Sequence, residues 1–91
     1  MFALEPNYPT PFKPSTQIRY ALPELTSVTI TVYDMMGRKV RTLVQDTQSA
    51  GYHTALWNAT NDRGLPVSAG MYIYTLQAGD YHYMKKMILL K

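Results

Sequence analysis

Groups able to move a proton or hold a metal are few in this chain: His53, His82 and the six carboxylates Glu5, Glu24, Asp34, Asp46, Asp62 and Asp80. Catalysis needs a nucleophile, a base and a charge stabiliser that converge on one point, and no recognised spacing joins these residues. Ser15, Ser27, Ser49 and Ser68 all lack the Gly-x-Ser-x-Gly setting of a nucleophile elbow. His53 and His82 alternate with apolar or aromatic neighbours, so ordinary rim positions are expected for both, ahead of catalysis or metal ligation. With no cysteine there is no thiolate, disulfide or sulfur-ligated metal. A non-enzymatic protein without a cofactor is expected.

Three binding chemistries are weighed against structural readings. Asn58, Asn61 and Asp62 could offer oxygens to calcium, but the stretch lacks the acidic density of a cage, and Asx-turns are preferred. Arg38, Lys39 and Arg41 with Lys85, Lys86 and Lys91 could form a basic face on neighbouring strands, suited to phosphates or acidic glycans. Lysines also guard exposed strand edges, and that reading is preferred. Nine basic residues and a net charge of +3 are thin for a nucleic-acid binder, so no nucleic acid is expected as partner. Tyr81 and Tyr83 could stack on sugar rings, or pack across strands.

The elements that would position these residues are strands. The chain is 91 residues long, 46% hydrophobic and 16% charged, which fits one soluble core and neither disorder nor membrane insertion. Met1 to Pro6 shows no basic region followed by an apolar run, so no signal peptide is expected there. Ile18, Tyr20 and Leu22 alternate with polar or small residues up to Pro23, and Val28, Ile30 and Val32 alternate with Thr29, Thr31 and Tyr33. Asp34 to Gly37 reads as a hairpin turn, followed by a return strand from Arg38 to Val44 with a bulge and with Val40 and either Leu43 or Val44 facing inward. Gln45 to Gly51 reads as a polar connection. Tyr52 to Trp57, Met71 to Ala78 and Tyr81 to Leu90 complete the strands, with Asn58 to Gly70 as the main loop and Gly79-Asp80 as a tight turn. Val28, Ile30, Val32, Trp57, Tyr72, Tyr74 and Leu89 are the expected core. The pattern predicts an all-β fold, an antiparallel Ig-like or fibronectin-like sandwich of about six to seven strands, with a small barrel as the competing architecture.

Residues 5–16 hold four prolines in twelve positions, which favours an extended lead-in over a ladder strand. Its aromatics, Tyr8 and Phe12, are expected to dock over one open end of the sandwich. The division is therefore a proline-rich lead-in over 1–16 and a sandwich over 17–91.

One set of motifs spans nearly the whole chain. It opens with Asn7-Tyr8-Pro9-x-Pro11-Phe12-x-Pro14-Ser15-Thr16-x-Ile18-x-Tyr20 and continues with Leu22-Pro23, Val32-Tyr33-Asp34, Gly37-Arg38-x-Val40, Ala50-Gly51-x-His53 and Trp57. Asp62-x-Gly64, Gly70-x-Tyr72-x-Tyr74 and the ending from Lys85-Lys86 to Lys91 complete it. In these residues the chain resembles the C-terminal type A sorting domain of proteins exported by the bacterial type IX secretion system, an Ig-like sandwich related to the Ig-like domain of flagellar hook-capping proteins. Thr10 and Lys13 depart from the motif, which usually has Asn at both positions.

The resemblance implies the tail of a longer precursor, fused to an N-terminal cargo. It implies folding in the periplasm, recognition by the outer-membrane translocon, and removal by a sortase-like peptidase at the cell surface. Lys85, Lys86 and Lys91 are then the expected docking residues. The alternative is an Ig-like interaction module of a surface or flagellar-hook-type assembly; a carbohydrate-binding module is a third reading.

Overall fold

The computed structural model describes residues 1–90. Seven strands follow one another: β1 (Ala3–Leu4), β2 (Thr16–Leu22), β3 (Thr26–Asp34), β4 (Lys39–Gln48), β5 (Gly51–Trp57), β6 (Gly70–Ala78) and β7 (Tyr81–Leu89). They form two antiparallel sheets, one in the order β1-β2-β5 and the other β4-β3-β6-β7. The fold is the expected all-β Ig-like sandwich.

Alternation decides which side chains meet between the sheets, because successive residues of a strand point to opposite faces. Ile18, Tyr20 and Leu22 of β2, Val28, Ile30 and Val32 of β3, and Tyr72, Tyr74 and Leu76 of β6 all point inward and are buried. Ala55 and Trp57 come from β5, Met87 and Leu89 from β7. Pro23 follows β2 directly, and the short link to β3 carries the chain from the first sheet to the second.

Gly37 closes the β3–β4 turn with φ +82°, a conformation a side chain disfavours, and its amide donates to the Asp34 carbonyl at 3.0 Å. Asp34 organises the same turn, its carboxylate accepting from the amides of Met36 and Arg38 and from the Arg38 guanidinium at 2.8 Å. These bonds, the Arg38 amide first, hold its carboxyl below the usual range.

Strand β4 departs from the sequence expectation in two ways. It runs on to Gln48, pairing Thr26 with Gln48 and Thr29 with Gln45, so the stretch read as a polar connection is mostly ladder. Polar residues suit an edge strand whose outer side is wet. The register slips twice against β3, leaving Leu43 and Val40 as extra residues, and Val40, Leu43 and Val44 are all only partly buried against the core.

The first residues add a strand that the sequence reading did not place. Ala3 and Leu4 pair with Ala21 and Tyr20, and the Glu5 amide bonds the Arg19 carbonyl at 2.9 Å, so the chain enters as a short ladder strand. Leu4 is buried beside β2. This pairing precedes the first proline, where the donors needed for a ladder are still present.

Candidate functional site

Within the lead-in, Phe12 and Asn7 are buried while Tyr8 is 78% exposed. Phe12 lies against Trp57, ring centroids 5.6 Å apart, and Tyr72 meets the same indole edge-on at 5.2 Å. The Phe12 backbone brackets the end of β7: its amide donates to the Ile88 carbonyl at 3.0 Å, and the Leu90 amide donates to the Phe12 carbonyl at 2.9 Å. Asn7 supplies a polar clasp, its Nδ2 donating to Thr16 Oγ1 at 2.9 Å, and Thr16 Oγ1 in turn donating to the Pro9 carbonyl at 2.9 Å. Thus Tyr8 does not dock as expected. Its neighbour Asn7 takes the inward position, and Tyr8 bridges to Gln17 through the backbone with its ring in solvent. Pro9, Pro11 and Pro14 stay exposed between these anchors.

Burial shifts the titration of the core tyrosines. Tyr74 donates to the Glu5 carbonyl at 3.0 Å, and burial, outweighing a backbone hydrogen bond from Asn7, pushes its phenol up to about 12. Tyr20 is raised by burial, partly offset by its hydrogen bond to Gln48, and Tyr72 by burial and the Asp34 charge.

The loop from Asn58 to Gly70 uses its oxygens internally. Asn61 Oδ1 accepts from the amides of Arg63 and Leu65, and Asp62 Oδ1 accepts from the Thr42 amide at 3.0 Å. Ala59 takes φ +62°, which turns the chain so that the Thr60 carbonyl accepts from the indole N–H of Trp57 at 2.8 Å. Among the described residues, no three of His, Asp and Glu gather in a metal-binding group.

The described basic residues do not gather into one cluster: Lys39 and Lys86 lie on one face of the four-stranded sheet but at opposite edges, with Tyr33 and Ile73 between them. β4 and β7 are opposite edges of one sheet, with β3 and β6 between them. Arg38 is paired with Asp34, and Arg41 donates to Thr60 Oγ1 and the Asn61 carbonyl, fastening β4 to the loop. Lys85 and Lys86 are adjacent on β7 and so project to opposite sides. Lys85 faces Tyr74 in register, half-buried, with its ammonium over the Tyr83 ring at 5.1 Å; Lys86 faces Ile73 and is exposed. Lys91 lies outside the described residues. Strand order places Lys39 and the Lys85–Lys86 pair on edge strands, where the preferred reading of guarded edges put them, rather than on neighbouring strands.

His53 Nε2 is 2.8 Å from the Ser49 carbonyl and its ring stacks on Tyr20; His82 is exposed on β7. Tyr81 stacks on Phe2, ring centroids 4.7 Å apart, and Tyr83 tilts against Tyr81, so both tyrosines take part in packing. A concavity of about 440 Å³ forms an open groove on the outer face of the four-stranded sheet, floored by Thr29, Thr31 and Thr75 and flanked by Tyr33 and His82.

The sequence model of the FlgD Ig-like domain matches residues 13–81. No curated protein matches the chain. Among solved structures, dimeric latent PorU from Porphyromonas gingivalis superposes with a TM-score of 0.73 at 22% identity, over 98% of this chain and 9% of that one. FlgD from P. aeruginosa gives 0.64 at 23% identity, over 81% of this chain and 60% of that one. PorZ, a bacterial surface component of the type-IX secretion system of Porphyromonas gingivalis, gives 0.68 at 17% identity, over 98% of this chain and 12% of that one. The chain thus spans less than two thirds of each of these proteins, and at such identities the likeness is one of fold. With the family model covering residues 13–81 and the two-sheet sandwich beneath it, the chain belongs to the FlgD Ig-like domain family.

Proposed function

We propose that this domain is a non-catalytic sorting signal that directs a fused cargo through the type IX secretion system, across the outer membrane to the cell surface. The observation that carries the proposal is the bracket between Phe12 and the end of β7, at 3.0 and 2.9 Å. It fastens the lead-in and the closing strand together at one end of a rigid sandwich, so a receptor would meet the same surface on unrelated cargoes. The motifs from Asn7 to Phe12 and from Lys85 onward meet at this bracket. The fold shared with PorU and PorZ, the latter a component of that secretion system, supports the same reading.

In this proposal Lys85 and Lys86 contact the outer-membrane translocon, and a sortase-like peptidase removes the domain after passage. The cargo is N-terminal, the domain folds in the periplasm, and neither cofactor nor metal takes part. A second reading follows from FlgD, of which the match covers 60%: an Ig-like module that stays in a mature assembly as a subunit contact. Mass spectrometry of the mature surface or secreted product separates the two. Peptides from residues 1–91 should be missing if the domain is an address; their recovery in the mature product would favour the retained module.

A further inference from the structure

Strand β7 pairs with β6 over nine residues without a register break. In an antiparallel pair, residues alternate between turning both backbone groups toward the partner and turning both away. The Ile88 carbonyl and the Leu90 amide reach outward to Phe12, which fixes the phase: His82, Met84 and Lys86 also turn their N–H and C=O groups to the outer side. Among the described residues, only Phe12 pairs with that side, through the backbone around Leu89.

The other edges are less receptive. β1 has two residues, β4 is broken by two bulges, and β5 has seven residues without an Asp, Glu, Lys or Arg to select a partner. β7 is the longest regular edge. Around its free stretch stand Tyr83 and Met84, 44% and 60% exposed, with Lys85 and Lys86 pointing to opposite faces.

We propose that the free edge of β7 is a strand-addition site for an extended peptide of another protein, one that carries two adjacent acidic side chains between apolar residues. Backbone groups of His82, Met84 and Lys86 would supply the ladder, and Phe12 already shows how a strand lies on this edge. Adjacent side chains of an incoming strand point to opposite faces, as Lys85 and Lys86 do, so neighbouring acids match both. A second copy of this chain fits poorly. No two of its own acids are adjacent, and antiparallel β7–β7 pairing centred on Met84 sets Lys86 against His82 and Lys85 against Tyr83, with no acid opposite either lysine. The inference rests on edge geometry and charge, independently of the export proposal.

The test uses the isotope-labelled 91-residue domain and a synthetic peptide alternating valine and threonine around a central pair of glutamates. Saturable binding below about 1 mM is expected, with amide exchange slowed about tenfold or more at His82, Met84 and Lys86. Met84→Pro should abolish it, since that amide faces outward and its loss leaves the β6 ladder whole. Lys85→Glu with Lys86→Glu should prefer a peptide with a lysine pair instead. Lack of saturation, protection confined to other residues, or unchanged binding by a folded Met84→Pro would overturn the proposal. So would edge amides already protected in a domain that sediments as a dimer. If Met84→Pro does not fold, equal affinity of the charge-reversed variant for both peptides is the overturning result.

Discussion

Replacing Phe12 by alanine tests whether the lead-in belongs to the core or merely lies along it. The ring is 1% exposed and packed against Trp57, which Tyr72 also contacts. Alanine keeps both backbone bonds to β7, so the change isolates the side chain. Burying a phenylalanine ring contributes about 1.5–3 kcal/mol by transfer alone. The cavity left beside a rigid indole raises the cost to about 3–5 kcal/mol. A domain of this size holds a margin of about 5–10 kcal/mol, so the variant should fold but melt roughly 15–25 °C lower. Urea unfolding followed by the fluorescence of Trp57 reads the change, because the probe is the residue that loses its neighbour. Tyr8→Ala is the control four residues away; with its ring 78% exposed it should move stability by about 0.5 kcal/mol or less. Equal, small losses for the two variants would refute the seating of Phe12 and with it the rigid junction.

Asn7→Ala removes the buried donor that holds Thr16 Oγ1 and should cost about 1–3 kcal/mol in urea unfolding, whereas Pro11→Ala, at an exposed position, should cost far less. Alkali should destabilise the domain. Tyr20, Tyr72 and Tyr74 are raised above their ordinary 10.0 in the folded state, so their contribution is complete below pH 10 and is lost as pH climbs through the folded values, about 12 for Tyr74. Urea midpoints should hold level up to about pH 10 and then fall, with a shallower fall in Tyr74→Phe. Ala59→Val places a branched side chain at φ +62° and should cost about 2 kcal/mol by thermal melting, loosening the carbonyl that holds the Trp57 indole. Lys85→Ala with Lys86→Ala should shift the melting temperature by only a few degrees, about 1 kcal/mol or less per charge, while impairing export of a fused reporter.

Where the fold was legible, a two-residue period carried it. Val28, Ile30 and Val32 on β3, and Tyr72, Tyr74 and Leu76 on β6, announce a buried face from their types alone, and Gly37 and Gly79 mark the turns between strands. The signal failed where burial is one-sided or the period breaks. β4 has no fully buried side chain, so nothing in its polar second half distinguished ladder from loop. Phe12 stood out as an aromatic among prolines, whereas Asn7 was named for the motif and not as a buried residue, because its burial depends on a partner nine residues away. A buried Asn followed nine residues later by Thr at a strand start is a weak clue at most. The sequence alone could not separate a basic face from guarded edges, because which strands neighbour one another is a property of the sandwich, and β4 and β7 came out at the two far edges of one sheet.

The central claim is that this sandwich is an address, and grafting tests it. Residues 1–91 would be fused to the C-terminus of a periplasmic reporter enzyme in a bacterium with a working type IX system, and reporter activity accessible to external protease measured on intact cells. The account predicts that the reporter reaches the outside only when the domain is attached and the translocon is present. A reporter held in the periplasm behind a folded, protease-resistant domain would contradict it.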